Sequence, residues 1–209
     1  MHYVYLFNNK KELIIITRTI GPNGEIITVL PITIKVDRST NSYYAQEEST
    51  GRRIPIAELL QMANDGDPSA QCAMGDYYNV EEPHADFKEA FNWYKKAAAQ
   101  NHAQALFNMG NYYAVGAGVV QKDMDKSIAF LEESANQGFL DAMMHLGQLY
   151  TINDLYDKAF IWLEKAEKLG HPDAGTILEQ ARTLARSAAN SPSLRETFSN
   201  DRDDVLWYV

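Results

Sequence analysis

Residues able to carry out chemistry are few in this sequence and show no catalytic spacing. It has one cysteine, Cys72, and five histidines, His2, His84, His102, His145 and His171. The patterns HExxH, GxSxG and GxGxxG and the Walker loop do not occur. Cys72 has no flanking basic residue, so it is interpreted as an inert thiol, and a single cysteine excludes an intrachain disulfide. We therefore predict that the protein is not an enzyme.

Two acidic groups are the strongest candidates for a metal site. One comprises Glu81, Glu82 and His84, and the other comprises Asp201, Asp203 and Asp204. Solvated loops carry such residues routinely, and a specific cation site needs several oxygen ligands at defined positions. Neither a metal nor any other cofactor is predicted.

The composition is that of a globular protein with a strong acidic balance. The 209 residues are 45% apolar and 11% aromatic, enough for a sizeable core, and the net charge is −9. Such a charge repels phosphate backbones, so nucleic acid is an unlikely ligand class. The N-terminus lacks the order of a secretory signal, and its aliphatic runs are far shorter than the roughly 20 residues of a membrane span. A soluble, cytoplasmic protein is the expectation.

Residues 1–54 predict a small antiparallel β-region of three to five strands. β-branched and aromatic residues are frequent there, and Gly21-Pro22-Asn23-Gly24 is a strong turn signal. Pro31 interrupts the stretch 25–36, and proline cannot donate to a sheet ladder, so this stretch forms either a bulged edge strand or two short strands. A sheet of this size needs to pack on something else to be stable.

Residues 55–187 contain an internal repeat with a helical period. The segments AQCAMGDYY from Ala70, ALFNMGNYY from Ala105 and AMMHLGQLY from Ala142 share Ala, then an apolar residue and Gly at offsets 4 and 5, and Tyr at offset 8. A second amphipathic segment follows each one. Offsets 0, 4 and 8 lie on one helix face, so each repeat is predicted to be a pair of antiparallel helices that approach closely at Ala and Gly. Asp67-Pro68 and Asp86 suit helix starts.

This repeat resembles the Sel1-like repeat, a relative of the tetratricopeptide repeat. Repeat two matches most fully, with the loop Gly116-Ala117-Gly118-Val119 followed by Asp123 and Lys126. The resemblance implies an α+β chain in which a small N-terminal antiparallel sheet precedes an all-α Sel1-like solenoid. In this interpretation residues 55–187 hold about three full repeats plus capping helices, and residues 188–209 form a C-terminal tail.

The predicted binding surface lies on the first helix of each repeat, because first helices usually line the concave side of such solenoids. Offsets 3, 6 and 7 from each repeat alanine should point away from the second helix. They hold Ala73, Asp76, Tyr77, Asn108, Asn111, Tyr112, His145, Gln148 and Leu149, which we call the first-helix stripe. A merely solvated face is the alternative. In the tail, Trp207 and Tyr208 are predicted either to contact a partner or to fold back on the chain's own sheet or last helix.

These patterns predict a protein–protein interaction module, a monomer or homodimer, whose concave face or N-terminal sheet holds one protein partner. The excess of acidic residues lies in residues 55–187, which hold 19 acidic and 10 basic residues, so the partner is expected to have a basic surface. The resemblance implies a bacterial immunity or adaptor protein that occludes or holds a toxin or other partner. The alternative is a sensory protein whose β-region binds a small ligand near Arg52, Arg53, Tyr43 and Tyr44.

Overall fold

A computed structural model describes residues 4–7, 13–20, 26–29, 32–37, 42–79, 85–116 and 118–190. The acidic groups near 81–84 and 201–204, and the predicted contacts Trp207 and Tyr208, lie outside these residues. The chain divides into two compact units, residues 1–123 and 124–209. The boundary falls between the two helices of repeat two, and each unit has its own core.

The strands of the first unit form two antiparallel sheets. The first contains β1 (Val4–Phe7), β2 (Leu13–Ile20) and β3 (Ile26–Val29), and the second contains β4 (Ile32–Asp37), β5 (Ser42–Glu47) and β6 (Arg53–Ile54). The antiparallel class is confirmed, whereas the six described strands exceed the three to five predicted. The stretch 25–36 contains two short strands, β3 and β4, which belong to different sheets, so the second of the two predicted alternatives is the one observed.

The second sheet shares a hydrophobic core with the two helices that directly follow it in the chain, Ile56–Asn64 and Pro68–Asn79. Ile32, Ala45 and Ile54 from β4, β5 and β6 join one buried cluster with Leu59 and Met74 from the helices that follow. Side chains that would face water in an isolated sheet are thereby covered. This sheet therefore has a packing partner, and its need for that partner stays a prediction.

Eight helices follow in the described part of the chain, and three successive pairs correspond to the three repeats. Their bounds are α1 Ile56–Asn64, α2 Pro68–Asn79, α3 Phe87–Ala99, α4 Ala103–Val115, α5 Met124–Asn136, α6 Leu140–Ile152, α7 Tyr156–Lys168 and α8 Ala174–Asn190. The repeat helices have 12 or 13 residues each, so a repeat is a short pair that relies on packing more than on helix propensity.

Side-chain caps define where several helices begin. Asp67 accepts a hydrogen bond from the backbone N–H of Ala70 at 2.7 Å, and Asp86 accepts from the N–H groups of Lys88 and Glu89. His102 Nδ1 accepts from the N–H of Ala105 at 3.3 Å at the start of α4. These contacts satisfy N–H groups that a helix leaves unpaired at its N-terminus, which confirms the predicted starts at Asp67-Pro68 and Asp86.

The small residues of the repeat allow the paired helices to approach closely. The repeat alanines Ala70, Ala105 and Ala142 are fully buried. A Cβ atom at Gly75 would overlap the ring of Tyr94 in α3, and a Cβ atom at Gly147 would overlap the side chain of Leu163 in α7. Glycine is therefore required at these positions by the neighbouring helix rather than by its own backbone conformation.

We expect Gly147→Ala to lower the free energy of unfolding by about 1–3 kcal/mol, because the added methyl group has no space beside Leu163. The overlap must outweigh a gain in helix propensity of about 1 kcal/mol. Chemical denaturation of both proteins measures the difference. In a Leu163→Ala background the same substitution should no longer destabilise. A stabilising effect of Gly147→Ala in the otherwise unchanged chain would contradict this packing.

Ser127 is a buried polar residue whose substitution should stabilise the second unit. Its Oγ has no hydrogen-bond partner among the described residues, and the equivalent positions of repeats one and three are the buried alanines Ala90 and Ala159. We expect Ser127→Ala to raise the free energy of unfolding by about 1 kcal/mol, as measured by urea denaturation. Ser134 is equally buried but has an interaction partner, so Ser134→Ala is the control and should not stabilise. Equal gains in both variants would contradict the explanation.

Candidate functional site

A buried carboxylate connects three helices of the first unit. Asp76 of α2 accepts a hydrogen bond from Tyr94 Oη of α3 at 2.8 Å. From α4, Gln104 Nε2 donates to its other oxygen at 3.2 Å, and Asn108 Nδ2 lies 3.4 Å from the oxygen that Tyr94 contacts. Asp76 thus fixes the positions of polar side chains on two neighbouring helices.

Burial dominates the electrostatics of this group. It raises the pKa of Asp76 to about 6, although the hydrogen bonds from Tyr94, Gln104 and Asn108 act in the opposite direction. Asp76 is half-buried and its carboxylate accepts from these three donors, and the loss of hydration of the carboxylate is the larger effect on its pKa. The pKa of the Tyr94 hydroxyl is raised by burial first and then by the neighbouring Asp76 carboxylate, so Tyr94 remains a donor.

The predicted orientation of the stripe is wrong for Asp76, because its carboxylate contacts the second helix instead of pointing away from it. Tyr77 packs towards the second sheet, with its ring edge-to-face against Tyr43 at a centroid distance of 5.8 Å. Tyr78 lies beside it at 5.2 Å. The position of a residue around the helix axis predicted neither the Asp76–Tyr94 contact nor the Tyr77–Tyr43 contact. Each contact depends on which neighbouring element faces that side of the helix.

Three more stripe residues are buried rather than exposed. Tyr112 is 6% exposed, Leu149 is 4% exposed and Ala73 is fully buried. The Tyr112 ring lies 5.5 Å from that of Phe91, and its hydroxyl donates to Asn79 Oδ1 at 2.8 Å. The expectation that these side chains lie on a free surface is therefore wrong.

The remaining stripe residues, Asn108, Asn111, His145 and Gln148, are half-buried. In α4, Asn108 and Asn111 share one face with Gln104 and with Val115, which is 53% exposed. The corresponding face of α6 holds Asp141, His145, Gln148 and Ile152, and Ile152 is 49% exposed. Both sets have the spacing i, i+4, i+7 and i+11, so each helix presents polar side chains followed by an exposed aliphatic one. Burial lowers the pKa of His145, with Asp141 acting in the opposite direction, which favours the neutral imidazole.

Formal charge is divided unequally between the two helices of a repeat. The first helices, α2, α4 and α6, contain only Asp76 and Asp141, and α4 contains no charged residue. The second helices, α3, α5 and α7, contain 14 charged residues. Depletion of charged residues is one feature of the centre of protein–protein interfaces. Sequence reasoning overlooked Gln104 and Val115, although the absence of charge in α4 is readable from the sequence.

Other titratable residues have structural roles. Burial lowers the pKa of His102 to about 4, and its neutral ring caps α4. Burial also raises the pKa of the Cys72 thiol well above its usual range. Within the described ranges, no three His, Cys, Asp or Glu residues are grouped so that they could hold a metal ion. None of the described helices combines the length and apolar character needed to span a membrane.

The arginines predicted to line a ligand pocket already contact other side chains. Arg52 forms an ion pair with Glu58 of α1. The Arg53 guanidinium lies over the ring of Tyr44, 4.4 Å from its centroid. No observation favours a small-ligand site here, and that alternative stays an untested prediction.

Paired helices with recurring Ala and Gly contacts define an α-helical repeat protein, and comparison with known proteins identifies the repeat. The Sel1 repeat model matches residues 68–102, 103–139 and 140–171, each of which contains one helix pair. A Sel1 repeat protein from Oxalobacter formigenes is 31% identical, with a TM-score of 0.51, over 60% of this chain and 97% of that protein. The chain belongs to the Sel1 repeat family. Proteins of this family are generally non-catalytic modules that bind other proteins.

Two further relatives extend the comparison. The structure of a protective antigen of uropathogenic Escherichia coli, which displays an SLR fold, is 27% identical, with a TM-score of 0.56, over 61% of this chain and 28% of that chain. An uncharacterized protein of Neisseria meningitidis serogroup B is 34% identical over 116 residues, which are 56% of this chain and 24% of the relative. The chain thus spans about a quarter of the length of this curated relative.

The raised pKa of Asp76 makes the stability of the first unit depend on pH. Between its unfolded pKa of 3.8 and its folded value of about 6, the folded chain holds a proton that the unfolded chain has lost. The contribution of Asp76 to the free energy of unfolding is therefore greatest below about pH 4. It falls by up to about 3 kcal/mol as the pH rises through 6.

We expect Asp76→Asn to remove this pH-dependent loss. The free energy of unfolding of the variant, relative to that of the unchanged protein, should therefore be greater at pH 7.5 than at pH 4.5. Urea denaturation at both pH values measures the effect. Asp65→Asn removes the same charge at an exposed position and is the control. Identical pH profiles for the Asp76 variant and the unchanged protein would contradict the assignment.

Proposed function

We propose that this protein is a non-catalytic interaction module that holds one protein partner on the first helices of its repeats. The observation that carries the proposal is the segregation of charge, with two charged residues in the three first helices and 14 in the three second helices. The half-buried and exposed positions of α4, which include Gln104, Asn108, Asn111 and Val115, also hold no charged residue.

The polar residues on the first helices suit protein recognition. Amides both donate and accept hydrogen bonds, and their half-burial in α4 and α6 restricts the side-chain freedom that binding would otherwise remove. Val115 and Ile152 add apolar area at the end of each helix face. Asn108, Asn111, His145 and Gln148 are therefore the stripe residues proposed to contact the partner directly.

Within this class we propose a bacterial cytoplasmic immunity or adaptor protein whose partner has a basic surface. The acidic excess in residues 55–187 supports this, since opposite charge accelerates association and a tightly held partner has its own active surface covered. A toxin or effector neutralised by occlusion is the form of partner that best fits this mechanism. Trp207 and Tyr208 remain proposed additional contacts.

Site-specific photo-cross-linking in the native host tests the location of the interface. A benzophenone amino acid replaces Asn111 in α4 or Gln148 in α6, and matched controls replace the exposed Asn92 in α3 or Ala129 in α5. We expect one and the same protein to be cross-linked from positions 111 and 148 and not from 92 or 129. Equal cross-linking from all four positions, or from none, would count against the proposed face. A cross-link from position 207 would add the tail to the interface.

The finer proposal needs the captured partner itself. We expect it to have a basic surface, to arrest growth when expressed alone in Escherichia coli, and to be harmless when this protein is co-expressed. A harmless partner would instead establish the adaptor role, and an acidic partner would contradict the electrostatic argument.

A further inference from the structure

We propose that Asp76 is a positioning residue that turns the carbonyl oxygens of Gln104 and Asn108 outwards, so that this face of α4 receives a cationic side chain, Arg or Lys, of the partner. This inference rests on the proposed function and deepens it by stating the chemistry of the group that is bound. It replaces the sequence-based role of Asp76 as a direct contact.

The orientation of the two amides follows from the chemistry of the carboxylate. An ionised carboxylate accepts hydrogen bonds but cannot donate them, so an amide beside it must present its NH₂ group. Gln104 Nε2 at 3.2 Å and Asn108 Nδ2 at 3.4 Å do so. The carbonyl oxygen of an amide lies on the side opposite its NH₂ group. Both carbonyl oxygens are therefore directed away from Asp76 and are available as acceptors.

Tyr94 and Gly75 hold Asp76 in place. The buried Tyr94 hydroxyl donates to the carboxylate at 2.8 Å, and the Tyr94 ring occupies the space that a side chain at Gly75 would fill. The glycine contact between α2 and α3 thus fixes the tyrosine, which fixes the carboxylate. Because this support is rigid, the amides of α4 are oriented before any partner arrives.

A face that presents acceptors is complementary to groups that only donate. Among side chains these are the lysine ammonium and the arginine guanidinium. The acidic excess in residues 55–187 attracts the same cations over a longer range. α4 itself contains no charged residue, so the amide oxygens and the Asp76 carboxylate behind them are the groups that attract a cation there.

The arrangement changes when Asp76 is protonated, because a carboxylic acid carries one O–H group, which can donate to one amide oxygen. The titratable groups that act on Asp76 are Tyr94 of α3 and Cys72 of α2, and α4 supplies only the neutral amides of Gln104 and Asn108. The pKa values of Cys72 and Tyr94 are both raised, so both groups stay neutral at neutral pH. Protonation of Asp76 near pH 6 is therefore the event that changes the hydrogen bonding of the two amides.

Nuclear magnetic resonance of the full chain tests the positioning role without a partner. We expect the side-chain NH₂ resonances of Gln104 and Asn108 to titrate with a midpoint near pH 6 in the unchanged protein and to lose this titration in Asp76→Asn. Asp65→Asn should leave it unchanged. Side-chain amide resonances of residues 104 and 108 that do not respond between pH 5 and pH 7 would overturn the proposal, whether or not the variant folds.

Recognition of the cation is tested with a hexa-arginine peptide as the probe. At pH 7.5 we expect it to shift the side-chain amide resonances of Asn108 and Gln104, and we expect its affinity to fall roughly tenfold in Asp76→Asn but not in Asp65→Asn. A hexa-glutamine peptide should produce no such shift. Equal affinity in the two variants, or shifts confined to other residues, would overturn the assignment of this face to a cation.

The two proposals fail in distinguishable ways. Partner cross-links from positions 111 and 148 without any response of the amides to Asp76 would leave the interaction module intact and remove the positioning role. Amides that respond to Asp76 and to hexa-arginine, without any cross-linked partner, would leave the cation site intact and remove the proposed protein interface.

Discussion

The close approach of paired helices is the constraint on which the rest of repeats one and three depends. At Gly75 and Gly147 a side chain of the neighbouring helix occupies the space that a Cβ atom would fill. The side chain of one helix therefore packs directly against the backbone of the other. This contact determines which large residues, Tyr94 and Leu163, are buried opposite the glycines. It also brings the Tyr94 hydroxyl within reach of Asp76, so the polar network and the apolar packing are parts of one arrangement.

Local repetition made much of the fold predictable from the sequence. Ala, an apolar residue, Gly and Tyr at fixed offsets predicted the helix pairs, and Asp67 and Asp86 predicted helix starts that are seen as caps. The division of the strands into two sheets was not predictable in the same way, because strand pairing joins residues distant in sequence and periodicity says nothing about partners. Pro31 was correctly recognised as an interruption, but its consequence depended on which strands pair across it.

The candidate site was predicted only in part, for a related physical reason. The offset of a residue within a repeat gives its position around the helix axis. It does not reveal which neighbouring element packs on that side of the helix. Tyr112 and Leu149 have the same offset as Tyr77, yet they are buried while Tyr77 is half-buried. Asp76 shares its offset with Asn111 and Gln148 but is drawn inwards by the hydroxyl of Tyr94. The scarcity of charge in the first helices, by contrast, can be read directly from the sequence.

The core that joins β4, β5 and β6 to α1 and α2 affects how the repeats can be isolated. Repeat arrays need an end that closes off the apolar side of their terminal helix. Here Ile32, Ala45 and Ile54 provide that closure for Met74 of the first repeat helix. β4, β5 and β6, together with α1, therefore cap the first repeat. A fragment trimmed to the boundaries of the repeats alone would begin with an uncovered apolar surface prone to self-association.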